Sequence, residues 1–240
     1  MHRGFAFIDW DDTLAHNLPL FWAAEERMCG RIAAALGLPE AEVLARGHEL
    51  DLATARRMGL TSTSFPTAWR ECYRELCARN GRRPEPALEQ AIWAEAAAVY
   101  WAPQPLVPGG AALLHWLREL GFEVTVWTAG DEHVQRTKIE RSGLQPLTDR
   151  ICAVPVKGPE SLLVALAGRD PAKSFVLGNS THSDIGPALA VGVYAIHLQT
   201  AEWAYDAATV DREHPDYVTV QELHEVPGIL RRRFGLEAAG

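Results

Sequence analysis

The sequence predicts an α/β protein whose core is a Rossmann-like parallel sheet, interrupted after its first strand by an all-helical insert. Three observations lead to this prediction. A short apolar run at residues 5–8 is ended by Asp9, as at the end of a buried parallel strand. From residue 109 onward, apolar runs alternate with helical patterns, which indicates βαβ units. Residues 16–104 contain several helical patterns and no convincing strand.

The elements of the core follow from the apolar runs and from the residues that end them. Strands are predicted at residues 5–8, 122–127, 151–156, 174–177 and 193–198. Helices are predicted between them at residues 111–120, 133–142, 160–167 and 184–191. The last three helices stop directly before a glycine, which is common at helix C-termini. Strands and helices that alternate at this spacing form a parallel sheet covered on both faces.

The insert is predicted to consist of helices at residues 21–36, 39–50, 67–79 and 86–101. The segment that follows, up to residue 110, is rich in proline and glycine and indicates a stiff connection back to the core. We therefore predict an α/β core formed by residues 1–15 and 105–240, and a helical domain formed by residues 16–104.

Composition limits the partners that the protein can have. The chain has 240 residues, a net charge of −8 and a sequence pI near 5.6. Nucleic acids and anionic membranes both attract positive surfaces, so neither is an expected partner. The sequence has no apolar run of the roughly 18 residues that a transmembrane helix needs, and its first apolar run is too short for a signal peptide. Four scattered cysteines do not indicate a disulfide scaffold. We expect a cytoplasmic protein.

The segment DWDDTL, residues 9–14, directly follows the first strand. Open α/β sheets place ligands at the carboxyl ends of their strands, and clustered carboxylates there need a compensating cation. If the chain is extended, the side chains of Asp9 and Asp11 lie on the same side. One can then attack a substrate while the other gives or takes a proton. The structural alternative is an Asp-rich turn in which Asp12 caps the next helix.

A second polar segment, GNSTHSDI, follows the fourth strand at residues 178–185. Asp184 could ligate a metal ion through an intervening water or cap the following helix, and Asn179 offers an uncharged oxygen that suits a hard cation. The alternative is an ordinary strand–turn–helix junction that is capped by Ser183 or Asp184.

Polar residues also follow the second and third strands. Thr128 and the backbone of Ala129 could bind phosphate oxygens at a helix start, although Thr128 could equally be a simple N-cap. Lys157 could neutralise a carboxylate and a bound phosphate. Lys138 is its competitor, but it lies within a helical pattern, so we prefer Lys157 for its position after a strand. Lys173 precedes its strand and would lie at the opposite end of the sheet.

The order and spacing of these four segments resemble the haloacid dehalogenase superfamily, in particular its phosphatase branch with a helical cap inserted after the first motif. The resemblance covers nearly the whole chain. The DWDDTL segment is highly specific and residues 178–188 are moderately specific, whereas the threonine and lysine motifs are weak without the others. The resemblance implies a haloacid dehalogenase-like fold, with residues 16–104 as the cap.

The resemblance also implies the role of each site residue. Asp9 would be the nucleophile that forms an aspartyl-phosphate, and Asp11 would be the general acid and base. Thr128 and Ala129 would bind the phosphoryl oxygens, and Lys157 would balance the charge. Mg²⁺ would be held by Asp9, by the backbone carbonyl of Asp11 and by the loop containing Asn179 and Asp184.

The sequence departs from the family pattern at Asn179, where an aspartate is common. We expect either weaker magnesium binding or a larger share of the coordination by Asp184, and no loss of activity. Trp10 is larger than the usual aliphatic residue and is expected to point into the core or toward the cap. Asp11 argues against dehalogenation, because a halide leaving group needs no proton and the dehalogenase branch lacks this second aspartate.

The sequence thus predicts a magnesium-dependent phosphatase that acts on a small phosphorylated metabolite. A phosphomutase remains open because it would have the same motifs, and a catalytically silent binding or regulatory module remains open because of Asn179. His16 and Asn17, directly after the first motif, are the candidate substrate contacts of the cap region. A homodimer also remains open.

Overall fold

The computed structural model describes residues 2–201, 203, 205 and 208–236. Its centre is a six-stranded sheet in which every neighbouring pair of strands is parallel. The strands are β1 (Gly4–Ile8), β2 (Phe122–Ala129), β3 (Arg150–Val154), β4 (Ser174–Gly178), β5 (Tyr194–Leu198) and β6 (Tyr217–Val220). Their spatial order is β3-β2-β1-β4-β5-β6, which places β1 between β2 and β4.

The α-helices among the described residues number nine. They are α1 (Leu18–Leu36), α2 (Glu40–Met58), α3 (Ser64–Arg79), α4 (Pro86–Ala98), α5 (Gly110–Glu119), α6 (Glu132–Arg141), α7 (Pro159–Leu166), α8 (Gly186–Ala190) and α9 (Val226–Phe234). None of the helices in the described part of the chain is both long enough and apolar enough to cross a membrane.

The chain divides into two compact units. The α/β unit consists of Met1–His16 and Gln104–Gly240, and the helical unit consists of Asn17–Pro103. These limits differ by one residue at each junction from those that we predicted from the sequence.

The sheet of the α/β unit is buried on both faces. Ala6 and Ile8 of β1 belong to the apolar cluster on one face, and Phe7 belongs to the cluster on the other face. All three are fully buried, as expected for a central strand of a parallel sheet. Trp10 is also fully buried in the first cluster, so of the two directions expected for it, into the core or toward the cap, the structure shows the core.

The helical unit has an apolar core of its own, formed by α1 to α4. Trp69 of α3 is fully buried there and lies against Gly47 of α2. A Cβ atom on Gly47 would approach the Trp69 ring to 2.5 Å, so a glycine is needed for these two helices to pack at this distance.

The fold differs from the sequence prediction in several places, among them β6, α2 and α8. The edge strand β6 was not predicted. Helix α2 continues eight residues beyond the predicted end and stops before Gly59, whose φ of +76° ends the helix. The helix predicted at residues 184–191 consists of a π-helical turn (Thr181–Ile185) followed by the short helix α8.

Candidate active site

The strand order brings residues that are distant in sequence to one edge of the sheet. Asp9 directly follows β1, Thr128 lies at the end of the neighbouring β2, and Asn179 directly follows β4 on the other side. The backbone N–H of Asp9 donates to the carbonyl of Leu177 at 2.9 Å, which fixes Asp9 beside the end of β4.

Asp9, Lys157 and Asp184 form a buried ion cluster at this edge. The Lys157 ammonium donates to Asp9 Oδ1 at 2.6 Å and also to Asp184 Oδ1. The side chains of Lys157 and Asp184 are each only 1% exposed. The Lys157 Nζ atom also lies 4.6 Å from the centroid of the Trp127 ring, a distance that favours a cation–π interaction. One ammonium therefore lies between two carboxylates and reduces the repulsion between them.

Burial and the neighbouring charges both shift the pKa values of Asp9 and Lys157. The pKa of Asp9 is raised to about 7, because burial, helped by the nearby carboxylates of Asp184 and Asp11, outweighs the lowering effect of Lys157. Burial by itself would lower the pKa of Lys157, but Asp184 and Asp9 outweigh it and the pKa is raised. Lys157 is therefore the permanent cation of the cluster, and a second positive charge nearby would favour ionised Asp9.

Two local features turn Asp184 toward Lys157. The π-helical turn holds Asp184 so that its Oδ2 accepts the backbone N–H of Ser180 at 3.0 Å. Gly178 provides the space, because a Cβ atom there would lie 2.3 Å from the Asp184 carboxylate. The N-cap of the turn is Ser180, whose hydroxyl accepts the N–H of Ser183, so neither Ser183 nor Asp184 is the cap.

Asp11 lies in a second polar cluster. Its Oδ1 accepts hydrogen bonds from Gln104 Nε2 at 2.8 Å and from Lys138 Nζ at 3.0 Å. Its Oδ2 accepts from Gln135 Nε2 at 2.9 Å and from Lys138 Nζ at 3.1 Å. The Lys138 side chain is only 6% exposed. Lys157 and Lys138, which the sequence presented as competitors, thus both lie at the site, each with its own aspartate.

The loop after β1 supports Asp9 and Asp11 without capping a helix. Asp12 has a φ of +57°, and its N–H donates to the carbonyl of Ala15 at 2.7 Å. The N-cap position of α1 is Asn17, so the alternative in which Asp12 caps the next helix is wrong. The left-handed backbone at Asp12 makes the turn that follows the motif.

Thr128 and Ala129 lie beside the Asp11 cluster. The Thr128 hydroxyl is 2.6 Å from Gln135 Nε2, and the carbonyl of Ala129 accepts from the same nitrogen at 2.9 Å. Thr128 is part of β2, and the N-cap position of α6 is Asp131, so the N-cap alternative for Thr128 is wrong as well.

Asn179 is held from both its side chain and its backbone. Its Oδ1 lies 3.4 Å from the Thr13 hydroxyl, which also donates to Asp9 Oδ2 at 3.2 Å. Its backbone carbonyl lies 3.1 Å from His197 Nε2, and His197 Nδ1 lies 2.9 Å from the Tyr217 hydroxyl. Because a carbonyl can only accept, Nε2 carries the proton. The edge strand β6 thus supports the site through Tyr217.

The two remaining candidates lie at the junction of the units. The half-buried His16 ends the first segment of the α/β unit, where its N–H donates to the carbonyl of Pro105 at 2.8 Å. Asn17 is the first residue of the helical unit and the N-cap of α1. Their assignment as substrate contacts stays a prediction.

The oxygen donors present fit a hard divalent cation that is bound by few protein charges. Asp9 Oδ2 and Asn179 Oδ1 both lie near the Thr13 hydroxyl, while the Asp184 carboxylate receives Lys157 and the N–H of Ser180. Within the described residues, no group of three or more His, Cys, Asp or Glu side chains is placed to hold a metal. An amide oxygen, backbone oxygens and water are suitable further ligands for Mg²⁺.

Sequence reasoning missed four residues of the site or ranked them low. Gln104 and Gln135 contact Asp11, His197 contacts Asn179, and Lys138 was placed second to Lys157. Only Lys138 and Gln135 had a usable signal, because residues three apart on a helix share one face. For Gln104 and His197, nothing in the local sequence indicates the contact.

Comparison with known proteins gives structural matches only. No protein-family model matches the chain, and no curated protein matches it in sequence. A haloacid dehalogenase-like family hydrolase from Xanthomonas campestris superposes with a TM-score of 0.80 at 24% identity, over 98% of this chain and 97% of that one. A magnesium-bound candidate HAD hydrolase from Bacillus subtilis superposes with a TM-score of 0.64 at 18% identity, over 96% and 99%.

Both phosphatases and dehalogenases occur among the similar structures. A HAD phosphatase from Thermococcus onnurineus superposes with a TM-score of 0.59 at 20% identity, over 95% of this chain and 97% of that one. Dehalogenases superpose with similar TM-scores at identities of 13–16%. The parallel sheet, its helices and these superpositions show that the chain has the haloacid dehalogenase-like fold.

Proposed function

We propose that the protein is a phosphatase that hydrolyses a phosphate monoester of a small metabolite through an aspartyl-phosphate at Asp9. One observation supports this above all: Asp9 is buried against Lys157, and a second aspartate, Asp11, follows two residues later in a separate hydrogen-bonded cluster. Two carboxylates in different environments can divide the roles of nucleophile and proton carrier.

In the first step, an oxygen of Asp9 attacks phosphorus and the bond to the leaving oxygen breaks. Asp11 gives its proton to that oxygen, and the alcohol departs. In the second step, water attacks the phosphorus of the aspartyl-phosphate while ionised Asp11 takes a proton from it. The bond between phosphorus and Asp9 breaks, inorganic phosphate leaves, and both aspartates return to their starting forms.

The neighbouring residues have supporting roles in this proposal. The Lys157 ammonium offsets the charge of Asp9 and of the transferring phosphoryl group, whose oxygens are bound by Thr128 and by the backbone of Ala129. His16 and Asn17 are proposed contacts for the rest of the substrate. Mg²⁺, held by Asp9, Asn179, Asp184 and the backbone carbonyl of Asp11, would reduce the repulsion between carboxylate and phosphate.

Asp11 also distinguishes the proposed reaction from dehalogenation, which the same fold supports in other proteins. A halide ion leaves without a proton, so a dehalogenase has no use for a proton carrier beside its nucleophile. Three polar side chains donate hydrogen bonds to Asp11. This elaborate support for a proton carrier favours a reaction with an oxygen leaving group.

The test is phosphate release from a panel of phosphorylated metabolites, with Mg²⁺ and with EDTA. The wild type is compared with Asp9→Asn and with the control Asp170→Asn, because Asp170 is exposed and asparagine can replace it as a cap. We expect release that needs Mg²⁺ and Asp9 and that the control retains. Mass spectrometry of acid-quenched enzyme should find the phosphoryl group on the peptide that contains Asp9.

Other outcomes would contradict the proposal in distinct ways. Transfer of phosphate between positions of a sugar phosphate, with none lost to water, would indicate a phosphomutase. Release of halide from a 2-haloacid would indicate a dehalogenase. An absence of any turnover would indicate a binding or regulatory module.

A further inference from the structure

Lysine is scarce in this chain, and its placement is uneven. Only three lysines occur among the 23 basic residues. Lys173 is exposed, whereas Lys157 and Lys138 are both buried against carboxylates of the candidate site. The two-step reaction described above uses Lys157 and gives Lys138 no role. A buried ammonium is costly unless its partner compensates for it, so the contact with Asp11 needs an explanation.

Three side chains contact Asp11, and they come from two places in the chain. Gln135 and Lys138 lie three residues apart on α6 and therefore on one face of that helix. Gln104 reaches Asp11 as the first residue of the chain segment that follows the helical unit. Each of these side chains donates to Asp11, and Lys138 donates to both carboxylate oxygens. We call Gln104, Gln135 and Lys138 the Asp11 clamp.

The clamp is anchored in buried parts of the α/β unit. The Oε1 atom of Gln104 accepts the indole N–H of Trp10 at 2.8 Å, and Trp10 is fully buried. Gln135 is 2% exposed and also contacts Thr128 and the carbonyl of Ala129. The orientation of Asp11 is thereby tied to the core on one side and to the end of β2 on the other.

We propose that the Asp11 clamp positions the Asp11 carboxyl group for proton transfer, with Lys138 as its principal positioning residue. This inference rests on the proposed phosphatase function, because it assigns a task to residues around the proposed general acid and base. The indole of Trp10 contributes by orienting Gln104. A proton carrier has to lie within hydrogen-bond reach of the reacting oxygen, and a displacement of about 1 Å can cost on the order of 100-fold in rate.

Leaving-group chemistry separates this role from simple structural support. An alkoxide leaves slowly unless it is protonated, so an alkyl phosphate depends on Asp11 in the first step. A nitrophenolate leaves readily as the anion and depends on Asp11 much less. Because kcat/KM covers substrate binding and the first transfer, the change in the ratio of kcat/KM for the two substrates between wild type and variant reports on proton donation in that transfer.

The experiment compares glycerol phosphate with 4-nitrophenyl phosphate for wild type, Lys138→Met, Lys138→Arg, Gln104→Met and Lys173→Met. Methionine keeps the length of the lysine side chain and removes its charge and donors. For Lys138→Met we expect kcat/KM to fall about 100-fold with glycerol phosphate and less than about 5-fold with the aryl ester. Lys138→Arg should recover part of the loss, Gln104→Met should show the same pattern more weakly, and Lys173→Met should equal wild type.

A double variant tests the coupling to Asp11. If Lys138 acts only through Asp11, then Asp11→Asn/Lys138→Met should be no slower with glycerol phosphate than Asp11→Asn alone. Urea unfolding of each variant identifies any that do not fold, and Gln104→Met, which removes an uncharged and half-buried side chain, keeps the inference testable in that case.

The outcomes separate the two proposals. Equal losses with both substrates, or additive losses in the double variant, would make Lys138 a structural residue and overturn the inference while leaving the phosphatase intact. A wild type that transfers no phosphoryl group from either ester or from any metabolite of the panel would overturn the proposed function, and the positioning role with it.

Discussion

Gly178→Ala offers a direct test of how Asp184 is positioned. An alanine Cβ at this position would lie 2.3 Å from the Asp184 carboxylate, about 1 Å closer than the shortest ordinary contact. Asp184 is almost completely buried and is held by Lys157 and by the N–H of Ser180, so it cannot move away without losing those contacts.

Two physical costs set the expected decrease in the free energy of unfolding. Overpacking of a buried site typically costs about 1–3 kcal/mol. Separating a buried ion pair costs about 3–5 kcal/mol. The two ranges meet at about 3 kcal/mol, so we expect Gly178→Ala to lower the free energy of unfolding by about that amount. For a chain of this size that corresponds to a decrease in Tm of about 6–12 °C.

The assay is differential scanning calorimetry with Gly228→Ala as the matched control. Gly228 lies in α9 of the same unit, and a Cβ there would approach only the flexible end of Arg232 at 3.7 Å. Alanine favours helix over glycine by about 0.5–1 kcal/mol, so the control should be slightly stabilised. If Gly178→Ala unfolds at the wild-type temperature, our account of the Asp184 position is refuted.

Three other substitutions test the charges of the two units. Lys157→Met leaves two buried carboxylates without their cation, so urea unfolding should show a loss of about 3–5 kcal/mol, whereas Lys173→Met should be neutral. In the helical unit, burial and then the charge of Glu25 raise the pKa of Asp51 from 3.8 to about 7. The folded chain therefore keeps a proton that the unfolded chain releases, and wild-type stability is lost as the pH rises from about 4 through 7, by up to about 4 kcal/mol. Asp51→Asn cannot titrate, so its urea midpoint should change less across this range. Asn179→Asp adds a charged oxygen beside Asp9, and we expect the Mg²⁺ concentration for half-maximal phosphatase activity to fall about tenfold.

Each of these tests has an outcome that contradicts it. Equal stabilities of Lys157→Met and Lys173→Met would mean that the buried ion cluster contributes nothing. An Asp51→Asn variant with the wild-type pH dependence would assign the proton to another group. A higher Mg²⁺ requirement in Asn179→Asp would place the cation away from residue 179.

Most of the fold could be predicted from the sequence because each buried parallel strand consists of a short run of apolar residues. The run at residues 5–8 and the strand at 174–178 were recognised within one residue of their observed limits. The edge strand β6 was missed because it is short and only Val220 in it is fully buried, so it lacks such a run. The end of α2 was placed early because Asp51, a buried polar residue, interrupts the apolar pattern of that helix.

The site was harder to predict because half of its contacts come from side chains that local patterns do not identify. Asp9, Thr128 and Lys157 each follow or end a strand, and that position was the signal. Lys138 is inside a helix, where a lysine usually faces solvent. Only the structure shows that its side chain is buried against Asp11. The extra turn at Thr181–Ile185 was equally invisible, because π-helical and α-helical turns have no distinct composition.

The central position of β1 has a consequence for how the protein is made. This strand ends at Ile8, but its two neighbours begin at Phe122 and Ser174. At a synthesis rate of about 5–20 residues per second, β4 follows β1 out of the ribosome by roughly 10–30 s. The helical unit is synthesised entirely within that interval. During translation, the strand that presents Asp9 is therefore synthesised long before either of the strands that pair with it. The candidate site can be assembled only after residue 184 has been added.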